Sequence, residues 1–234
     1  MIGKLWYPPV LTYHRILSET APDSPTLTPE GFRRQVEILA THWHPIPLAA
    51  LVSWLEGKGR LPAKAVVLTF DDGTDDTFTY AYPILGRYQI PATVFLIAGS
   101  VGQPGYLTWD QVRQMQRERY TFGSHGMTHD YLPSLSLEQA RKSLADSLRV
   151  LRKNGVPTEF ASYPAGGFTP EIAAIAREEG YRAACTTNRG LRRLPVNRWA
   201  IRRIAMHENA GSPAGMWLCC CGYYGLNRRP RSAC

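Results

Sequence analysis

The 234-residue chain has no apolar run that could cross a bilayer. Its apolar stretches, such as Ala65 to Phe70 and Pro91 to Ala98, fall far short of the roughly 20 residues a spanning helix needs. Two prolines, Pro8 and Pro9, interrupt the amino terminus before the apolar core of a secretory signal can form. The chain as given is therefore expected to be cytoplasmic, or to have lost a leader already. Cysteine is nearly missing from the body of the sequence: of five, Cys219, Cys220, Cys221 and Cys234 lie in the last 16 residues, and Cys185 stands alone. That excludes a disulfide framework, and no CxxC pair offers metal spacing. Acid is scarce at the C-terminal end, where residues 182 to 234 hold ten arginines against Glu208 alone. Such a patch suits nucleic acid, an anionic membrane surface, an acidic polymer or a solvated face. No helix-turn-helix, zinc-finger or RNP-like pattern accompanies it, which argues against nucleic acid.

What is present reads as one compact domain, with 44% apolar and 20% charged residues and no repeat or low-complexity linker. Short runs rich in β-branched and aromatic residues alternate with runs of helical period, the pattern of βα units around a parallel sheet. Strands are expected near Val10 to Tyr13, Ala65 to Phe70, Thr93 to Ile97, Tyr120 to Gly123, Phe160 to Tyr163, Ala183 to Thr186 and Arg202 to Met206. Helix starts are marked by Thr28-Pro29 and Thr169-Pro170, an N-cap followed by proline at the first helical position. Thr108 with Gln111 and Ser136 with Gln139 have capping-box spacing. Further helices are expected near 48–57 and 75–88. Seven βα steps in this length fit an α/β barrel of the TIM kind, in which chemistry collects at the C-terminal ends of the strands.

The polar residues at those ends are informative. Strand Ala65 to Phe70 runs into Asp71-Asp72-Gly73. Adjacent residues of an extended chain point to opposite sides, so one acid can bind a cation while its neighbour stays free to move protons. The alternative, an Asx turn or helix cap, is the commoner use of an isolated Asp-Gly. Strand Tyr120 to Gly123 leads into Ser124-His125-Gly126-Met127-Thr128-His129. If that segment turns helically, both rings fall on one side and reach one ion. Asp72, His125 and His129 would then form a site of two nitrogens and one carboxylate with positions left open, as catalytic zinc sites have.

Taken together, Thr69-Phe70-Asp71-Asp72-Gly73, Ser124-His125-x3-His129 and Tyr13-His14-Arg15-Ile16 resemble motifs of the polysaccharide deacetylases of carbohydrate esterase family 4, the NodB-homology domain, in the branch that includes poly-N-acetylglucosamine deacetylases. The resemblance, which covers roughly residues 10 to 207, implies a distorted (β/α)7 barrel for a domain over 1–207; by composition a basic, Cys-rich tail is expected over 208–234. It implies a divalent metal on Asp72, His125 and His129, with Asp71 as the general base toward a metal-bound water. The third motif would be Tyr163-Pro164-Ala165-Gly166-Gly167, with the Ala165 N–H as oxyanion donor and Tyr163 and Pro164 as substrate contacts. The fifth, Ile204-Ala205-Met206-His207, makes His207 the general acid. His14 is assigned to the rim of the site as a substrate or supporting contact. Four features depart from the family pattern: Gly126 stands where Ser or Thr is usual, Ala165 stands where an aromatic is frequent, no arginine at Ala161 or Ser162 supports the base, and no Asp-x-x-Asp-Trp motif follows.

The function expected is metal-dependent N-deacetylation of N-acetylated sugars in a polysaccharide or glycan precursor. Zinc is the expected ion, with cobalt, nickel and iron equally compatible with imidazole and carboxylate ligands. Two alternatives are a related amide or cyclic-imide hydrolase on a small substrate, since a fold does not fix the substrate, and a silent glycan-binding module. Asp75, Asp76 and Asp110 read as helix-start acids. His42 and His44 read as structural, and Trp109, Tyr106, Phe168 and Trp199 as either core or sugar-stacking aromatics. Met216 to Cys221 beside Arg228, Arg229 and Arg231 could rest on an anionic leaflet with acylated cysteines, or form an end with no role.

Overall fold

The structure is a computed structural model that describes residues 7–18, 26–187 and 196–220. Its strands are β1 (Val10–Tyr13), β2 (Arg15–Ile16), β3 (Thr26–Leu27), β4 (His44–Pro45), β5 (Ala65–Phe70), β6 (Ala92–Leu96), β7 (Tyr120–Ser124), β8 (Phe160–Ser162), β9 (Ala183–Thr186), β10 (Ile201–Arg202) and β11 (Ile204–Ala205). The α-helices are α1 (Pro29–His42), α2 (Leu48–Leu55), α3 (Tyr82–Arg87), α4 (Trp109–Gln116), α5 (Leu137–Lys153), α6 (Pro170–Glu178) and α7 (Pro213–Cys220). The expected caps all form. Thr28 and Thr169 accept from the N–H groups of Gly31 and Ile172, and the Thr108–Gln111 and Ser136–Gln139 boxes are closed in both directions.

The main sheet is parallel throughout and runs β10-β9-β8-β7-β6-β5-β1-β11. Its two ends are one passage of chain. Residues 201 and 202 pair with β9, residues 204 and 205 pair with β1, and Arg203 lies between them. The last expected strand is therefore two short pieces, because the segment changes partner at Arg203, whose N–H bonds the Thr186 carbonyl at 2.9 Å while the Met206 N–H bonds Thr12 at 2.9 Å. This bridge brings seven strand positions into a nearly closed barrel, the (β/α)7 architecture expected.

Alternation along the strands decides what the barrel encloses. Val10, Val67, Phe95, Phe160, Ala183, Cys185 and Ile201 come from strands far apart in the sheet yet form one buried cluster, which only the interior permits. The same parity carries Thr69 and Asp71 inward on β5, Ser162 inward on β8, and Arg203 inward beyond Ile201. Leu68, Phe70, Val94 and Leu96, of the other parity, pack in a second cluster with Phe32, Val36 and Leu39 of α1.

Two expectations need correction. The stretch 75–88 is not one α-helix but a π-helical turn at Thr77–Ala81 running into α3, because Pro83 has no N–H to give to the preceding turn. The domain does not end at 207. A 3-10 turn (Glu208–Ala210) and α7 follow, and Met216, Cys219 and Cys220 are buried in the core cluster that contains Tyr13 and Phe32. Residues 208–220 are thus part of the packed domain, with Trp217 and Leu218 left exposed. Cys221, Arg228, Arg229, Arg231 and Cys234 lie outside the described residues. Among the described residues no helix is long and apolar enough to cross a membrane.

Candidate active site

The carboxylates of Asp71 and Asp72 meet different partners. Asp71 continues the inward face of β5, and its N–H bonds the Tyr13 carbonyl at 3.0 Å. Its carboxylate takes a two-pronged pairing from Arg203, Nη1 to Oδ1 at 2.7 Å and Nη2 to Oδ2 at 2.6 Å. The same guanidinium donates to Thr69 Oγ1 at 3.1 Å and Ser162 Oγ at 2.7 Å, and lies over the Phe95 ring at 5.3 Å. Both residues are almost wholly buried, with 2% and 5% exposure. Burial alone would push the Asp71 pKa up. The Arg203 charge, with smaller contributions from His125 and His14, outweighs it and holds the carboxyl well below the usual range. Asp71 is thus held in the carboxylate form and fixed in orientation by Arg203.

The arginine that Ala161 and Ser162 do not supply therefore comes from Arg203, on a different part of the barrel. The readable sign is Ile201 followed by Arg203, which puts a charge at an inward parity. His14 reaches the same carboxylate from β1, with Nε2 3.9 Å from Asp71 Oδ2.

Asp72, in the left-handed region at φ 70°, turns its carboxylate to the two histidines. Its Oδ1 lies 3.5 Å from His125 Nε2 and 3.4 Å from His129 Nε2, and the ligand atoms of the three residues all fall within 4.8 Å of one another. The expected helical turn from His125 to His129 does not form. Gly126 at φ 76° and His129 at φ 61° bend the segment sharply, and the rings still meet with centroids 4.9 Å apart. Glycine at 126 meets this backbone requirement, which the Ser or Thr of the family pattern would adopt only under strain.

His125 is buried and its Nδ1 bonds the Ser162 carbonyl at 2.8 Å. Because a carbonyl only accepts, that nitrogen carries the proton and Nε2 presents its lone pair toward Asp72. Burial pushes the His125 pKa down, against the pull of Asp71 and Asp72, favouring the neutral form that a metal requires. Asp72 Oδ1 is buried and has no hydrogen-bond partner among the described residues. An orphaned carboxylate oxygen between two imidazole nitrogens fits a divalent cation.

The remaining expected residues fall into two groups. Ala165 lies at the exposed apex of the Tyr163–Gly167 turn, with φ 52°. That turn is pinned by the Thr186 hydroxyl, which donates to the Gly166 carbonyl at 2.6 Å. His207 leaves β11 beside the end of β1. Tyr163 and Pro164 are not surface contacts: both are buried, and the Tyr163 hydroxyl donates to the Trp199 carbonyl at 2.9 Å while its ring stacks on Phe168. The inward parity of β8 ends at Ser162, so the next side chain turns into the helical layer. The exposed aromatic beside this turn is Tyr131, whose ring lies against Gly167. Trp199 is occupied by structure, with its indole N–H on the Tyr181 carbonyl and Arg177 and Arg198 near its ring. Trp109 is partly buried and packs on the core, and Tyr106 bridges to Thr74. His44 bonds the Ala63 carbonyl and His42 packs on Trp43, in keeping with structural roles.

Asp110 sits in the first turn of α4 as expected. Asp76 does not serve a helix start. It is buried and accepts the Ile16 N–H at 2.6 Å while pairing with Arg15 at 2.8 Å, so it fixes the segment just after His14. Cys185, inside the barrel, has its thiol pKa pushed up to about 12 by burial and is no nucleophile.

Residues 58–184 match the family model for polysaccharide deacetylase. The chain belongs to the polysaccharide deacetylase family. Its relatives in this family include Bacillus subtilis YxkH, 28% identical over 213 residues that cover 90% of this chain and 75% of that protein. They also include the Staphylococcus aureus poly-beta-1,6-N-acetyl-D-glucosamine N-deacetylase, 26% identical over 76% of this chain and 67% of that protein. Among solved structures, the Streptococcus pyogenes deacetylase PplD in complex with acetate superposes with a TM-score of 0.85 at 26% identity, covering 93% of this chain and 99% of that one. IcaB from Ammonifex degensii shares the fold with a TM-score of 0.79 at 24% identity, covering 92% of this chain and 97% of that one. Polysaccharide deacetylases are metal-dependent hydrolases, and Asp72, His125 and His129 are the candidate metal site of this member.

Proposed function

We propose that this polysaccharide deacetylase removes acetyl groups from N-acetylglucosamine units of a polysaccharide, with Asp71 as general base, His207 as general acid, the Ala165 N–H as oxyanion donor and His14 as a contact at the rim. The observation that carries the reading is the division of labour between neighbouring acids. Asp71 is locked and ionised by Arg203, and Asp72 is turned to His125 and His129 with an oxygen left unpartnered. A silent binding module would have no use for a base held this firmly.

When bound, a divalent cation, for which we propose zinc, supplies Lewis-acid polarisation and a water of lowered pKa. Asp72, His125 and His129 would hold it. Asp71 accepts the proton from the attacking water, a role worth about 10² to 10⁴ in rate. The N–H at the apex of the Tyr163–Gly167 turn faces the developing oxyanion, worth roughly 10² to 10³. His207 gives the proton that the amine needs to depart. Tyr131, exposed at the rim, offers a flat apolar face to a sugar ring. We propose the N-acetylated glycan as the partner of this mouth. Contact of the basic C-terminal end with an anionic membrane is proposed only for residues 221–234.

The test is acetate release from N-acetylglucosamine oligomers together with metal analysis of the purified protein. About one divalent ion per chain, with turnover abolished by a chelator and restored by zinc, is the expected result. Turnover that survives complete metal removal, or a metal-loaded protein that releases no acetate, would refute the reading.

A further inference from the structure

The backbone at His207 is held by residues that are far away in sequence. Just before it, the Met206 N–H bonds the Thr12 carbonyl on β1. The His207 carbonyl accepts twice, from the Ala210 N–H at 3.0 Å and from Gln35 Nε2 on α1 at 2.8 Å. Just after it, the Glu208 carboxylate reaches the start of α1. Thr28 N–H donates to Oε2 at 2.8 Å and the Thr28 hydroxyl donates to Oε1 at 3.0 Å, with Arg34 3.5 Å away.

Two details show that α1 is shaped around this segment. A Cβ at Gly31 would come within 2.1 Å of Glu208 Oε1, so only glycine lets the carboxylate lie against the helix. Gln35 is wholly buried on the apolar face with Phe32, Val36 and Leu39, and its Oε1 has no partner among the described residues. A half-satisfied amide in a core is a cost to stability, and the bond it makes is to the His207 carbonyl. Nor does α1 need Glu208 in order to start, because the Thr28 hydroxyl already accepts the Gly31 N–H at 2.9 Å. What the carboxylate adds is a tether between α1 and the residue next to His207.

We propose that α1 is the platform that aims His207, with Gln35 and Glu208 as positioning residues that hold the imidazole where it can protonate the departing amine. The proposal rests on the reading of His207 as general acid given above. It deepens that reading by naming what fixes the acid.

The leaving group separates positioning from folding. An amine needs a proton to depart, whereas the phenolate of 4-nitrophenyl acetate leaves without one. In the metal-loaded protein, Gln35→Leu and Glu208→Ala are each expected to lower kcat for an N-acetylglucosamine oligomer about 10- to 100-fold. KM and the ester rate should stay within about twofold. Neither change should add to the loss caused by His207→Ala, since both act through that residue. Glu208→Gln, which keeps an accepting oxygen, should recover part of the loss, and thermal unfolding of each variant reports the fold separately. Equal losses on amide and ester, losses that multiply with that of His207→Ala, or an unchanged amide rate would each overturn the proposal. If His207→Ala itself slows both substrates alike, the acid assignment fails and the platform fails with it, an outcome distinct from failure of the tether alone.

Discussion

Two arginine–carboxylate clusters lie at opposite ends of the barrel, and the contrast between them separates chemistry from scaffolding. At the C-terminal mouth Arg203 and Asp71 have side chains 0% and 2% exposed. At the other end, just before β9, Arg182 clasps Glu56 through Nε and Nη2 at 3.0 and 2.9 Å, and Arg198 joins the same carboxylate. There the side chains are 27%, 12% and 28% exposed. Both carboxyls are held below their ordinary pKa, Glu56 at about 2, chiefly by its hydrogen bonds from Arg182. The inner pair cannot relax into water when one partner is lost, whereas the outer one can. A fold needs only the outer kind to tie α2 to β9. A carboxylate kept ionised inside a barrel needs the inner kind.

The largest expected effect comes from breaking the inner pair. Arg203→Met leaves Asp71 as a buried, unpaired charge. It should cost about 3–5 kcal/mol in denaturant unfolding and lower deacetylation by at least about 10². A stable, active Arg203→Met protein would erase the distinction drawn here. Asp71→Asn should keep the shape of the pair. Metal content is expected to be unchanged while turnover falls by about 10² to 10⁴, and wild-type turnover would remove Asp71 from the base role. At the outer cluster Arg182→Ala should cost about 1 kcal/mol or less and leave kcat untouched.

The smallest effect is in pH. Because the Glu56 pKa is lowered on folding, its contribution is complete above the carboxyl's ordinary value and is lost as pH falls toward about 2. Glu56→Gln should therefore flatten the acid limb of stability in that window and leave the curve near neutrality parallel to the wild type. An acid limb of unchanged steepness would show that the cluster carries no linkage.

How much of this could be read beforehand differs by element. Thr28, Thr108, Ser136 and Thr169 were legible as caps because a cap is made by residues three positions apart. Strands β1 and β5 were legible to the residue because their apolar runs, rich in β-branched and aromatic residues, are buried on both faces, and β9 because its short run of small residues is buried throughout. The convergence of the three candidate ligands was legible although its expected local conformation was not. Asp72, His125 and His129 follow strand ends, and strand ends share one mouth whatever the turns do. Tyr163 was misplaced because a motif names a loop without saying which side chains the loop buries. Helix α7 was missed because Met216 and Cys219 carry little amphipathic signal in so short a segment, and their burial depends on α1 standing opposite.

By itself the sequence determined the order of βα units, the helix starts and the carboxylates and imidazoles at the strand ends, since these follow from hydrogen bonds and periodicities spanning a few residues. The tertiary structure alone decided that Arg203 locks Asp71 across 132 positions, that Asp76 holds the chain after His14, and that α1 grips His207 through Gln35 and Glu208. The physical reason is that an ion pair or buried hydrogen bond between distant residues has no local signature. For Arg203, His207 and Glu208 it exists only when the passage 201–205 bridges β9 and β1 and brings them within bonding distance of their partners.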